Sequence, residues 1–306
     1  MTSAELKAAI PAEALTTVAL PQDAFQPVHS GKVRELFACE AGLLMIATDR
    51  LSAFDVILPT GVPGKGIVLT QMSRWWFEQT RDVVANHLVE PQDEALAEVL
   101  ERFPHLIPRA MLVRPLERVP LECVVRGYLA GSGWAAYQKT GELWGRPLPP
   151  GLRESEALPE PVFTPTTKAA VGGKDEPLTP EEAAALAGEE RARGLTNLSV
   201  ELFQYGQQRA SAAGLILADT KFEFGYGADG SLVLVDEIFT PDSSRYWPSD
   251  GHGPGRPQPA FDKQYVRDYL AGLAWNKQAP GPELPPEVVQ QTMEKYLEAY
   301  QRLCGT

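Results

Sequence analysis

Asp219, Lys221 and Glu223 stand on alternate residues of Leu215-Ile-Leu-Ala-Asp-Thr-Lys-Phe-Glu-Phe-Gly225, with Thr220 and Phe222 between them and Phe224 following. Strand side chains alternate faces, so the three charges share one face and the aromatic residues take the other, toward a core. Beyond a glycine-rich turn, Tyr226-Gly-Ala-Asp-Gly230, the run Leu232-Val-Leu-Val235 delivers Asp236 and Glu237 at its end. A hairpin closed around Ala228 puts Asp236 opposite, or one diagonal step from, Lys221 and Glu223. Neighbouring carboxylates repel unless a cation lies between them, and oxygen-only ligands of this kind suit magnesium bound to nucleotide phosphates. Lys221 beside two carboxylates keeps its proton, which rules it out as a general base. A salt-bridged outer face without metal has the same spacing, and spacing alone leaves both readings open.

Two further segments carry anion-binding chemistry. Glu122-Cys-Val-Val-Arg126-Gly-Tyr-Leu-Ala-Gly131-Ser132-Gly133 reads as a strand that delivers an arginine, followed by a small-residue loop and a helix over 134–139. Backbone N–H groups at that helix start, the Ser132 hydroxyl and the Arg126 guanidinium make a phosphate site; a plain tight turn fits the same residues. Gly31-Lys32-Val-Arg34 puts two cations on one strand face behind a glycine, able to cover a polyphosphate, without the glycine spacing or Lys-Ser/Thr pair of a Walker A loop. His29, His87, His105 and His252 form no metal spacing and are expected on the surface or in loops. Trp75-Trp76-Phe77 is expected in helix packing, and Cys123 as a small core residue.

The elements that must position these residues are strands over 31–37 and 43–47, helices over 69–84 and 91–102, and strands over 109–115 and 121–126 joined by a proline-bearing connector that reads as a hinge. Thr179-Pro-Glu-Glu182 has the form of a capped helix start with proline at the first position. A helix over 196–213 stops at Gly214, a stripe of Tyr265, Val266, Tyr269, Leu270 and Leu273 marks another, and a last one runs over 286–303. The expected division is an N-terminal β-rich lobe, 1–115, and a C-terminal α+β lobe, 116–306.

The 306 residues leave room for two or three packed units. With 28 Lys and Arg against 40 Asp and Glu, a net charge of −12 disfavours nucleic-acid backbones and anionic membranes as partners. No apolar run reaches the ~20 residues of a membrane span, the N-terminus has no signal-peptide core, and three scattered cysteines form neither a disulfide framework nor a zinc site. A cytoplasmic protein that starts near Met1 is expected.

Taken together, Gly31-Lys-Val-Arg34, Ala47-Thr-Asp-Arg-Leu-Ser-Ala-Phe-Asp55, Pro120 to Gly133, Phe163-Thr-Pro-Thr-Thr-Lys168, Leu217 to Gly225 and Asp236-Glu-Ile-Phe-Thr-Pro-Asp-Ser-Ser-Arg245 resemble the SAICAR synthetase family in its longer form of about 300 residues. The resemblance implies a two-lobe α+β SAICAR synthase-like fold, related to ATP-grasp and kinase-like lobes, with antiparallel sheets, flanking helices and ATP held between the lobes. It implies a ligase that joins L-aspartate to the carboxylate of carboxyaminoimidazole ribotide (CAIR) through an acyl phosphate, with ATP and Mg2+ and no obligate protein partner. By the same resemblance, Lys32, Arg34 and Lys168 face the ATP phosphates, Met111, Leu112 and Val113 the adenine, and Glu122 a nucleotide hydroxyl. Glu223 and Asp236 match the magnesium-linked carboxylates, Lys221 the lysine beside the reacting carboxylate, and Asp219 a carboxylate at the same centre; with Lys221 protonated, Asp219 is the better candidate to receive the aspartate amine proton. Arg126, Ser132, Asp242, Ser243 and Arg245 match the ribotide site, and Asp49, Ser52 and Asp55 the aspartate-side loop. Where the long form commonly has His-Asp-Glu, this chain has Lys174-Asp175-Glu176. The rival readings are a kinase-like phosphotransferase on a phosphorylated small molecule, which turns over ATP without an amino acid, and an acidic binding module with an exposed, metal-free hairpin face.

Overall fold

The strand alternation and cap signals of the sequence recur in a computed structural model of the chain, which describes residues 1–168, 175–261 and 263–305. Its internal contacts divide it into two units: Met1–Glu78 with His87–Leu116 and Phe261–Thr306, and Gln79–Asn86 with Glu117–Ala260.

In the first unit four antiparallel strands run in the order β1 (Gln26–Ser30), β2 (Arg34–Cys39), β3 (Gly42–Ala47) and β4 (Ala110–Val113). Phe37, Leu44, Ile46 and Leu112 close a core with Leu96, Leu100 and Leu106. The helix Lys65–Gln79 begins four residues before the expected 69, because the Asp49 carboxylate accepts from the Gly66 N–H at 2.9 Å. Gly66 is required there, since a Cβ would lie 2.2 Å from the Ala47 carbonyl oxygen. Trp76 and Phe77 are buried on this helix, in helix packing as expected.

The C-terminal helix Pro286–Cys304 was expected in the second lobe, and it packs in the first unit. Its stripe of Val288, Met293, Tyr296, Tyr300 and Leu303 is buried, and the Tyr300 hydroxyl donates to the Met1 carbonyl at 2.6 Å. An amphipathic stripe shows which face is buried and leaves the partner open.

In the second unit the sheet runs β6 (Ala157–Phe163), β5 (Leu121–Tyr128), β7 (Leu215–Tyr226), β8 (Leu232–Val235), and β9 (Ser244–Pro248) also pairs with β7. Thr220, Phe222 and Phe224 are buried, as the alternation requires. The helix Pro180–Ala187 has the full capping box of Thr179 and Glu182, and Glu189–Ala212 follows after Gly188. Lys174 lies outside the described residues, while Glu176 is tied through its backbone to Thr167, donating to Oγ1 at 2.9 Å.

Candidate active site

Strand register assembles the charged face. β7 lies between β5 and β9, with Asp219 opposite Arg126 on one side and Arg245 on the other. Asp219 Oδ2 consequently receives both guanidinium groups, Arg245 at 2.5 Å and Arg126 at 3.7 Å. One step along the same face, the Lys221 ammonium lies 2.6 Å from Glu122 and 3.0 Å from Glu223, whose other oxygen takes Lys168. Burial alone pushes the Lys221 pKa down, but Glu223, Glu122 and Asp236 outweigh it and raise the net value above the ordinary lysine range. Burial likewise acts to raise the Glu223 carboxyl, and Lys221 and Lys168 reverse this and hold it well below the usual range. Lys221 therefore remains an ammonium and Glu223 a carboxylate at neutral pH.

Asp236 leaves the ladder immediately after β8, in a left-handed conformation with φ of 65° that aspartate tolerates better than most residues. The sequence continued this strand to Glu237; the turn instead buries Glu237 as acceptor of the Thr240 hydroxyl. Ser243 accepts the Lys221 backbone N–H at 2.9 Å and donates within the same turn, which places Asp242 and Ser243 beside β7.

Arg126 reaches Ser132 Oγ at 3.2 Å and Thr164 Oγ1 at 3.0 Å. The helix Gly131–Thr140 begins there with no side-chain cap. Gly131 has φ of 54°, which favours glycine, and a Cβ on it would stand 3.0 Å from an Arg245 nitrogen, while one on Gly133 would stand 3.2 Å from Arg126 Cδ. Thr164 belongs to the site but was not singled out; its signal lay in Phe163–Lys168, where only the charged Lys168 drew a role.

The first unit treats its expected residues differently. Gly31 to Arg34 forms the turn between β1 and β2, with the Gly31 N–H donating to the Arg34 carbonyl at 2.8 Å, and Lys32 meets Asp55 at 2.5 Å on the surface. Asp49 is fully buried: its oxygens take Arg109 at 3.0 and 3.3 Å and the backbone N–H groups of Leu15 and Gly66. Ser52 is buried in a two-residue ladder, and of the three only Asp55 is exposed. The Asp49 carboxylate is thus engaged by the fold itself. Met111, Leu112 and Val113 are buried in β4, and the Leu112 backbone is engaged by Gln92 and Val89. His87, expected on the surface or in a loop, lies outside helices and strands but is buried against Phe77, whereas Cys123 is the core residue expected, its thiol pushed up to about 12 by burial.

The SAICAR synthetase sequence profile matches residues 27–282. The chain belongs to the SAICAR synthetase family. A phosphoribosylaminoimidazole-succinocarboxamide synthase from Thioalkalivibrio sulfidiphilus is 53% identical over 280 residues, 91% of this chain and 94% of that one. One from Desulfosudis oleivorans is 52% identical over 276 residues, 90% and 94% of the two chains. Among solved structures, the Saccharomyces cerevisiae SAICAR synthase complexed with SAICAR superposes with a TM-score of 0.84 at 40% identity, covering 95% of this chain and 98% of that one. A type-2 SAICAR synthetase in complex with ADP shares the fold at 23% identity, with a TM-score of 0.64 over 91% and 98% of the chains. As a member of the family the chain is a carbon–nitrogen ligase of purine biosynthesis, which displaces the phosphotransferase and binding-module readings. No helix among the described residues is long and apolar enough to cross a membrane.

Magnesium, which family resemblance implies, finds oxygen donors here but no finished cage. Among the described residues no three His, Cys, Asp or Glu side chains group so as to hold an ion. Magnesium generally takes one or two carboxylates and completes its shell with water and phosphate oxygens. Glu223 and Asp236 are the donors that fit, both acting on the same ammonium group of Lys221.

Proposed function

We propose that the charged face of β7 carries the ligation of L-aspartate to CAIR, with ATP as phosphoryl donor. The carrying observation is the Lys221 ammonium fixed between Glu122 and Glu223, next to the Arg126–Asp219–Arg245 triple on one strand face. The ribotide phosphate sits on Arg126, Arg245, Ser132 and the uncapped helix start at Gly131, with Asp242 and Ser243 alongside. Its imidazole carboxylate is then drawn to Lys221, whose fixed charge offsets that of the phosphoryl group in transfer.

A carboxylate is a poor electrophile. Its oxygen attacks the γ-phosphorus, ADP departs, and the resulting acyl phosphate presents a carbon that the aspartate amine attacks, with inorganic phosphate and a proton leaving. In the second unit Lys168 is assigned to the ATP phosphates and Glu122 to a nucleotide hydroxyl; in the first unit Lys32 and Arg34 are assigned to phosphate contacts and Asp55 to the incoming aspartate, all by family resemblance. Asp219 Oδ2 is already committed to two guanidinium groups, so its role is to orient them rather than to take the amine proton. Glu223 and Asp236 would hold magnesium, which supplies positive charge to the phosphoryl oxygens.

Steady-state ADP release, measured with CAIR and ATP in the presence and absence of L-aspartate, tests the reading. Continued turnover should require aspartate; equal ADP release without it would return the protein to the phosphotransferases.

A further inference from the structure

The segment Thr48-Asp49-Arg50 holds the Gly31–Arg34 turn by three successive carbonyls. Thr48 donates to the Val33 carbonyl from its backbone N–H at 2.9 Å and from its hydroxyl at 2.5 Å. The Arg50 guanidinium donates to the Gly31 carbonyl at 2.8 Å and the Lys32 carbonyl at 3.3 Å, and it also takes Thr16 O at 2.8 Å and Glu35 Oε1 at 2.5 Å. Its side chain is only 11% exposed. Asp49, between them, is locked by Arg109, Leu15 and Gly66, so the segment that grips the turn is itself anchored in the core of its unit.

We propose that Arg50, assisted by Thr48, is a positioning residue for polyphosphate binding, acting through the turn it grips. This rests on the reading that Lys32 and Arg34 contact the nucleotide phosphates. Carbonyl oxygens repel phosphate, and a turn whose carbonyls point at an approaching polyphosphate would cancel part of the attraction of its two cations. Arg50 and Thr48 draw the carbonyls of residues 31, 32 and 33 to one side and fix the backbone from which Lys32 and Arg34 extend. The planar fork of arginine is needed to reach two adjacent carbonyls and a carboxylate together, and a lysine ammonium does not reproduce that geometry. A displacement near 1 Å in such a positioning element costs up to ~10²-fold.

The test compares ADP with adenosine, which lacks the phosphates, by calorimetric titration of the full chain, with thermal unfolding recorded for each variant. Arg50→Lys should weaken ADP about tenfold while leaving adenosine and CAIR affinity and the unfolding midpoint nearly unchanged. Thr48→Val should act in the same direction and less, and it decides the matter if the Arg50 variant does not fold. Equal losses for ADP, adenosine and CAIR would make Arg50 a purely structural residue and overturn the proposal. So would unchanged ADP affinity in both variants when Lys32→Met weakens ADP. Should Lys32→Met itself leave ADP binding unaltered, the assignment of the turn to phosphates fails, and the positioning role fails with it, distinguishably from the previous outcome.

Discussion

The segments 48–55 and 219–223 each carry three charged residues, and the structure uses their charges in opposite ways. Asp49 is 0% exposed and its partner Arg109 3%, with every carboxylate contact directed at the fold itself. On β7 the charges meet other side chains across strands, and Lys221 remains 29% exposed, open to a ligand. Breaking the buried pair leaves a charge with nowhere to go, while changing the strand face alters what can bind and react. The same residue types thus act as internal braces in a loop and as a presented surface on a strand, according to which neighbours their backbones bring.

The sharpest way to break this contrast is on the strand. Glu223→Gln removes the counter-charge of Lys168 and Lys221 with little change in shape, and turnover should fall at least ~10³-fold. Lys221→Met should lose as much at every pH, because the raised Lys221 pKa keeps the group charged throughout the working range. Rates across pH 6 to ~9.5 check both; recovery of the lysine variant at high pH would mean that Lys221 acts as a base.

In the loop the expected loss is in stability. Asp49→Asn strands the Arg109 guanidinium in the core and should cost about 3 to 5 kcal/mol in urea unfolding. A variant of native stability with a raised KM for aspartate would instead restore Asp49 to the substrate side and erase the contrast.

The smallest effect belongs to His87, a buried titratable group of the first unit. Burial, with Arg34 and Arg114 nearby, lowers its pKa from 6.5 to about 3. Between these values the unfolded chain binds the proton more readily, so stability rises with pH, is fully present above 6.5 and is lost as pH falls toward 3. The slope is at most about 1.4 kcal/mol per pH unit. His87→Gln should flatten it between pH 4 and 6 in denaturant titrations; an unchanged slope would assign the acid sensitivity to other groups.

Much of the second unit was legible because its signals are local. The period of two set Thr220, Phe222 and Phe224 inward and the charges outward, and Thr179 with Glu182 marked a helix start from four adjacent residues. The Arg126–Asp219–Arg245 triple was legible only in part, since its members were known but not that two strands would bring them to one oxygen.

By its own order of residues the chain determined which faces are apolar, the capped helix start at Thr179, and which runs carry family-specific chemistry. Tertiary structure alone decided that Asp49 is buried and Asp55 exposed, that Arg50 spans from residue 16 to residue 35, and that the last helix joins the first unit. Those outcomes depend on partners dozens to hundreds of residues away, and a side chain's type and local spacing set what it can bind without setting which distant backbone folding brings to it.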